Sequence, residues 1–164
     1  MCDYSLMEYE SRLAAQGESL IVHRFPSGSL GLASVHDCCL AESEANRTKT
    51  FRATLKEFFQ REKKHSVPAV CIPPGASLIL HDVPPQVQKA LAIGPDEDVT
   101  FVQLSGAAYT YRDALRFRTG HALRLQDLCE GQRLQVVDLG FDDTEEPNVP
   151  DIPDALVLTS VSRL

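Results

Sequence analysis

Short stretches in which apolar and β-branched residues alternate with polar ones run through most of the chain. A two-residue period belongs to strands, because successive side chains of a strand point to opposite faces. Residues 19–25 and 30–35 read this way. The turn signal Pro26-Ser27-Gly28-Ser29 between them predicts a hairpin. Residues 70–72, 77–81, 99–104, 134–139 and 156–161 read as further strands, with Pro73-Pro74-Gly75 separating the first two. The stretch 109–125 says most about the fold. Asp113, Leu115 and Phe117 fall on one strand face, and His121, Leu123 and Leu125 on another. A three-residue loop, Arg118-Thr119-Gly120, sets Phe117 opposite His121 and Leu115 opposite Leu123, with Gly120 free to take a left-handed conformation. A two-residue loop would set Arg116 against Leu123 instead.

Helical spacing is rarer. Phe51, Leu55, Phe58 and Phe59 form an apolar stripe that predicts an amphipathic helix over 48–64, with Pro68 beyond its end. Pro84 and Pro85 open a second, short helix over 84–91, closed by Gly94-Pro95-Asp96. Residues 7–17 are expected to form a short helix ended by Gly17, and 36–46, being polar, a loop. About eight strands joined mostly by short turns predict a mainly β (α+β) single domain over 1–164 with an antiparallel, barrel-like sheet. Pro147, Pro150 and Pro153 make the acidic connection at 142–154 extended.

Composition narrows the function classes. With 43% hydrophobic and 24% charged residues in a chain of 164, global disorder and a fibrous repeat are excluded. No stretch reaches the roughly 20 apolar residues of a membrane helix, and the first residues lack a secretory leader's pattern. A soluble, cytoplasmic protein without a membrane partner is expected. The formal charge of −7 weighs against a large nucleic-acid surface. Charge is uneven: Arg47, Lys49, Arg52, Lys56, Arg61, Lys63 and Lys64 crowd one segment, and Asp142, Asp143, Glu145, Glu146, Asp151 and Asp154 another. Solvated surfaces explain most such runs. The hairpin face opposite its apolar residues carries Arg112, Arg116 and Arg124, whose planar forks suit a phosphate or carboxylate. This predicts a binding or interaction domain for a protein or a small anionic ligand.

The opening Met1-Cys2-Asp3-Tyr4-Ser5-Leu6, Ala69-Val70-Cys71 before Pro74-Gly75, Asp113-Ala114-Leu115 with Phe117 and Gly120, and Leu128 with Glu130-Gly131-Gln132 stand in a fixed order. Together they resemble a family of small uncharacterised bacterial proteins that begin with the same hexapeptide, over most of residues 1–139. The family brings no activity, cofactor or fold to carry over. The resemblance implies retained cysteines at Cys2 and Cys71, and an insertion at about 36–66. Relatives often carry histidines near the positions of Tyr109, Tyr111 and Arg112, so a site built on them would be altered here.

The five cysteines lack a Cys-x-x-Cys pair, and their odd number does not suggest a disulfide framework. One alternative function is a transition-metal site for zinc, iron or copper, since thiolate and imidazole suit those ions. In an extended chain His36 and Cys38 point the same way, and Cys2 and Cys71 would complete the set. A second alternative is an N-terminal nucleophile hydrolase. Removal of Met1 would leave Cys2 with a thiol and an α-amine base, although Asp3-Tyr4 is not the Gly-Ile that follows the cysteine in amidotransferases of that class. Histidines at 23, 36, 65, 81 and 121 are scattered, no nucleophile elbow or phosphate loop is present, and Asp113 and Glu130 have no acid–base spacing.

Overall fold

The computed structural model describes Leu6, residues 8–50, 67–104 and 111–140, and the paired backbone of Val157–Leu158. The chain is mainly β. Ten strands are β1 Ser11–Leu13, β2 Ser19–Arg24, β3 Leu30–Ser34, β4 Ala69–Cys71, β5 Ser77–Leu80, β6 Glu97–Gln103, β7 Asp113–Phe117, β8 Ala122–Arg124, β9 Arg133–Asp138 and β10 Val157–Leu158. Among the described residues two α-helices join them, α1 Val35–Thr50 and α2 Pro85–Leu91. The main sheet runs β10-β8-β7-β6-β5-β9-β2-β3, and β1 pairs with β4 separately. The seven strands from β8 to β3 are antiparallel, while β10 lies parallel to β8.

The β7–β8 hairpin has the predicted register. Leu115 pairs with Leu123, and the Phe117 N–H donates to the His121 carbonyl. Gly120 sits at φ +86°, where a side chain would be strained. The register turns the apolar half of every strand to one side. Leu20, Val22, Leu78, Leu80, Leu115, Leu123, Leu134 and Val136 are all fully buried there. Each such side chain contributes about 1.5–3 kcal/mol relative to leaving it in water. α2 closes over this core with Val87 and Leu91, four residues apart. It has proline at its first position and ends at Ala92 in the left-handed region.

A second, smaller cluster lies on the other side of the β2–β3 hairpin. Leu6, Phe25, Ala33 and Ala69 form it, with Tyr9, Ile21, Cys38 and Val67 packed around them. Gly31 is there because Leu6 and the Phe25 ring occupy the space a Cβ would need.

Three expectations change. Residues 11–13 form β1, not part of a helix. Their backbone is taken up by the register with β4, continued by the Ala14 N–H donating to the Cys71 carbonyl. Helix α1 begins at Val35, so 36–46 is helical and not a loop. Asp37 in the first turn faces the positive end of the helix dipole. Of the helix expected over 48–64, residues 48–50 are the C-terminal part of α1, and the rest lies outside the described residues. The same holds for the acidic connection 142–154 and most of the segment 36–66 read as an insertion. Finally, among the described residues the sheet does not close into a barrel, since β3 has a ladder neighbour only in β2. Across the gap, where the Ser29 and Tyr111 hydroxyls also meet at 3.4 Å, reaches Gln126, in a single 3₁₀ turn after β8. Its Oε1 accepts from the Leu30 N–H at 3.0 Å, and its Nε2 donates to the Leu30 carbonyl at 2.6 Å.

Candidate functional site

The arginines singled out from the sequence come together on the face of β6–β8 that points away from the core. Register fixes this. Thr100 is opposite Arg116, Val102 opposite Ala114, Arg124 opposite Ala114, and Ala122 opposite Arg116. The ladder continues past β7 at one end, where the Leu104 N–H donates to the Arg112 carbonyl. At the other end Arg118 reaches Asp98 at 3.7 Å. Arg112, Ala114 and Arg116 therefore alternate along a single face, with Arg124 beside the short Ala114, and Arg118 lies in the turn that follows β7.

Ala114 and Ala122 are fully buried although they are on this outer face. Their neighbours include Arg112, Arg116 and Arg124, beside Val102 and Val157, and long alkyl stems such as those of arginine cover apolar surface while the charged head stays near water. The guanidinium heads differ in their partners. Arg124 donates from Nε to Asp127 Oδ2 at 2.8 Å. Arg112 is also engaged. Arg118 and Asp98 are both well exposed, so their pair is worth little. Arg116 is half-buried, and its Nε is enclosed with no hydrogen-bond partner. A buried donor left without an acceptor costs about 1–3 kcal/mol. Arg116 is thus the position on this face with unused hydrogen-bonding capacity.

Of the residues proposed for a metal, His36 and Cys38 do not converge. His36 and Cys38 lie on α1, where two residues correspond to about 200° of rotation, so they point to different sides. His36 is largely exposed, whereas Cys38 packs against the second cluster. Burial, with Cys39, Glu42 and Asp37 nearby, pushes the Cys38 thiol up, away from the thiolate a metal needs. Cys71 is disulfide-bonded, contrary to the expectation of free thiols, while Cys38, Cys39 and Cys129 are free. Cys2 lies outside the described residues. No group of three His, Cys, Asp or Glu suited to a metal occurs among the described residues.

Two polar arrangements escaped the sequence reading. In the first, Arg12 of β1 donates to Glu18 Oε1 at 2.5 Å and Oε2 at 3.1 Å, and to Asp37 Oδ2 of α1 at 3.1 Å. Glu18 also accepts from the Ala15 N–H at 2.8 Å. The Arg12 hydrogen bonds, aided by Ala15 and Ser34 against the cost of burial, hold the Glu18 carboxyl below the usual range. The pair of carboxylates in turn raises Arg12. This network lines an open depression with Ser19, Ser34 and His36. Its charged groups satisfy each other, so it ties β1, β2 and α1 together. In the second, Asp113 ends the inner face of β7, buried, and accepts from Gln103 Nε2 at 3.1 Å. Neither was readable from spacing, because their partners are remote in sequence or come from adjoining strands.

A small cavity between α2 and the core, lined by Leu80, Val83, Val87, Leu123 and Leu128, has a volume of about 10 Å³, at most one water molecule. No helix among the described residues is long and apolar enough to cross a membrane. No family model, curated protein or solved structure matches this chain.

Proposed function

We propose that this chain is a bacterial, non-enzymatic binding domain whose arginine-bearing sheet face takes an anionic group, with Arg116 as the principal contact. The observation that carries this is the Arg116 guanidinium: half-buried, with an Nε–H that has no acceptor, and with Thr100 and Ala122 in place of a carboxylate across the strands. Rotation about the outer torsions of the side chain turns that edge to an incoming carboxylate or phosphate, which accepts two parallel hydrogen bonds. The Thr100 hydroxyl is the neighbouring donor. The rest of the fold supports a surface site, since the sheet is filled by leucines and valines. As part of the same reading, the sheet acts as a barrel-like body drawn together by the Gln126 clasp.

The test is a titration with citrate at low ionic strength, followed by NMR. The Arg116 Nε–H signal and the backbone of β7 are expected to shift saturably. Arg116→Gln should weaken binding about tenfold, the loss typical of a charged hydrogen bond. The absence of saturable shifts, or unchanged affinity in Arg116→Gln, would overturn the proposal.

A further inference from the structure

We infer that the first partner of this face is the chain's own acidic connection between β9 and β10, which crosses the sheet over Arg116 and Arg124; this rests on the anion-binding reading above. Strand direction dictates the path. Four antiparallel ladders separate β9 from β8, so these two strands run the same way, and β10 is parallel to β8. β9 and β10 are therefore parallel strands of one sheet. A chain that leaves the end of one and enters the start of the other must return over a face of that sheet. From β9 to β10 the way passes β5, β6, β7 and β8, about 24 Å at the usual strand spacing. Residues 139–156 reach roughly 60 Å when extended, enough for the crossing.

Handedness and room choose the face. Val136 faces the core and bonds to Gly17 and Glu18, on the β2 side of β9; Phe101 faces the core and bonds to Gly75 and Ala76, on the β5 side of β6. In a strand of L-residues, the face a side chain takes fixes the side on which that residue's backbone bonds. Seen from outside with β9 pointing up, β5 to β8 and β10 thus lie to its right. A crossover on the outer face is then right-handed, the sense of about 98% of such connections. A path over the core face, or outside β2 and β3, would be left-handed. Those routes are also filled, the first by the leucine core under α2 and the second by Leu6 and Phe25. The outer face of β5–β8 is left, and it is the arginine face. Charge matches: Asp142, Asp143, Glu145, Glu146, Asp151 and Asp154 come without a base between them. Opposite them, the Arg116 Nε has no acceptor, and Arg124 is held from one edge, through Nε. An external anion reaches Arg116 by displacing these acids, so its affinity falls with the fraction of molecules in which the face is clear.

The experiment titrates citrate at low salt into two variants of the full chain. The connection variant carries Glu145→Gln, Glu146→Gln and Asp151→Asn. The control, Glu8→Gln, Glu10→Gln and Glu42→Gln, removes the same charge at exposed positions on the N-terminal segment and α1. Citrate is expected to bind the connection variant about tenfold tighter than the control. With Arg116→Gln added to both, that gain should shrink to about 2-fold or less. Methyl NOEs from Val149 and Ile152 in the parent chain should reach Thr100 and Val102. Equal citrate affinity in the two variants, with binding still dependent on Arg116, overturns this inference and leaves the anion site standing. NOEs to Ile21 or His23, or none to the arginine face, do the same. Citrate that binds no form of the chain overturns both readings.

Discussion

The two ends of the sheet solve the same problem differently. On the outer side of β2–β3, small residues (Gly31 and Ala33) lie under Leu6 and Phe25, giving a second dry cluster. On the outer side of β6–β8, small residues (Ala114 and Ala122) lie among arginines. In both places a small side chain lets a larger neighbour settle on the sheet. At the first end that neighbour is hydrocarbon to its tip, so the face becomes core. At the second it ends in a charge, so the face stays next to water. Burial of the small residue alone does not distinguish a packing face from a binding face; the chemistry at the tip of its neighbour does.

Five substitutions test that contrast. Phe25→Ala removes the ring that covers Gly31 and should cost about 3–5 kcal/mol, the usual loss for a buried aromatic. Urea denaturation measures it, and a loss below about 1 kcal/mol would mean that the second cluster is not a core. Gly31→Ala should cost about 1–3 kcal/mol, because Leu6 and Phe25 must move. Thermal melting should show a clear drop there and a much smaller one for Ala122→Ser. Arg12→Met cuts the tie between β1, Glu18 and Asp37 and should cost about 1–2 kcal/mol, between the values for exposed and buried pairs. Arg116→Met should change stability by less than about 1 kcal/mol, or raise it, while abolishing the citrate-induced shifts. A large destabilisation by that last change would make the arginine face a packing face after all.

The Arg12 network also sets a pH dependence. Glu18 has a lowered folded-state pKa, caused first by its hydrogen bonds from Arg12. Its contribution is therefore complete above the ordinary glutamate value of about 4.3 and is lost as pH falls through the lower folded value. The melting temperature should fall more steeply below about pH 4.3 in the parent than in Arg12→Met. Equal slopes would show that Glu18 gains nothing from its partner.

Much of this was legible in the chain itself. The β7–β8 register followed from requiring Leu115, Phe117 and Leu123 to share a face, and from a glycine where the turn needs one. The prolines at 84 and 85 marked the start of α2. What failed did so for identifiable reasons. β1 has a burial pattern of exposed, intermediate, exposed, so no alternation announces it; it is a strand because β4 offers it a parallel partner. The first half of α1 carries few apolar residues, and its start is supported by Asp37 and by Cys38 packing on a remote cluster. An odd count of cysteines concealed the disulfide at Cys71, since three others remain free thiols. The arginines were visible as a set, but their unequal partners were not, because Asp127 and Asp98 meet them only through the turn after β8 and the pairing of β6 with β7.

The bridge from Gln126 to Leu30 has a chemical consequence. A carboxamide both gives and receives, and here both capacities are used on the backbone of one residue. Deamidation exchanges its nitrogen for oxygen and leaves a carboxylate that can receive but not give. At neutral pH the Leu30 carbonyl would then face an anion, so the seam beside β3 would be the place where ageing of a single side chain begins to unzip the molecule.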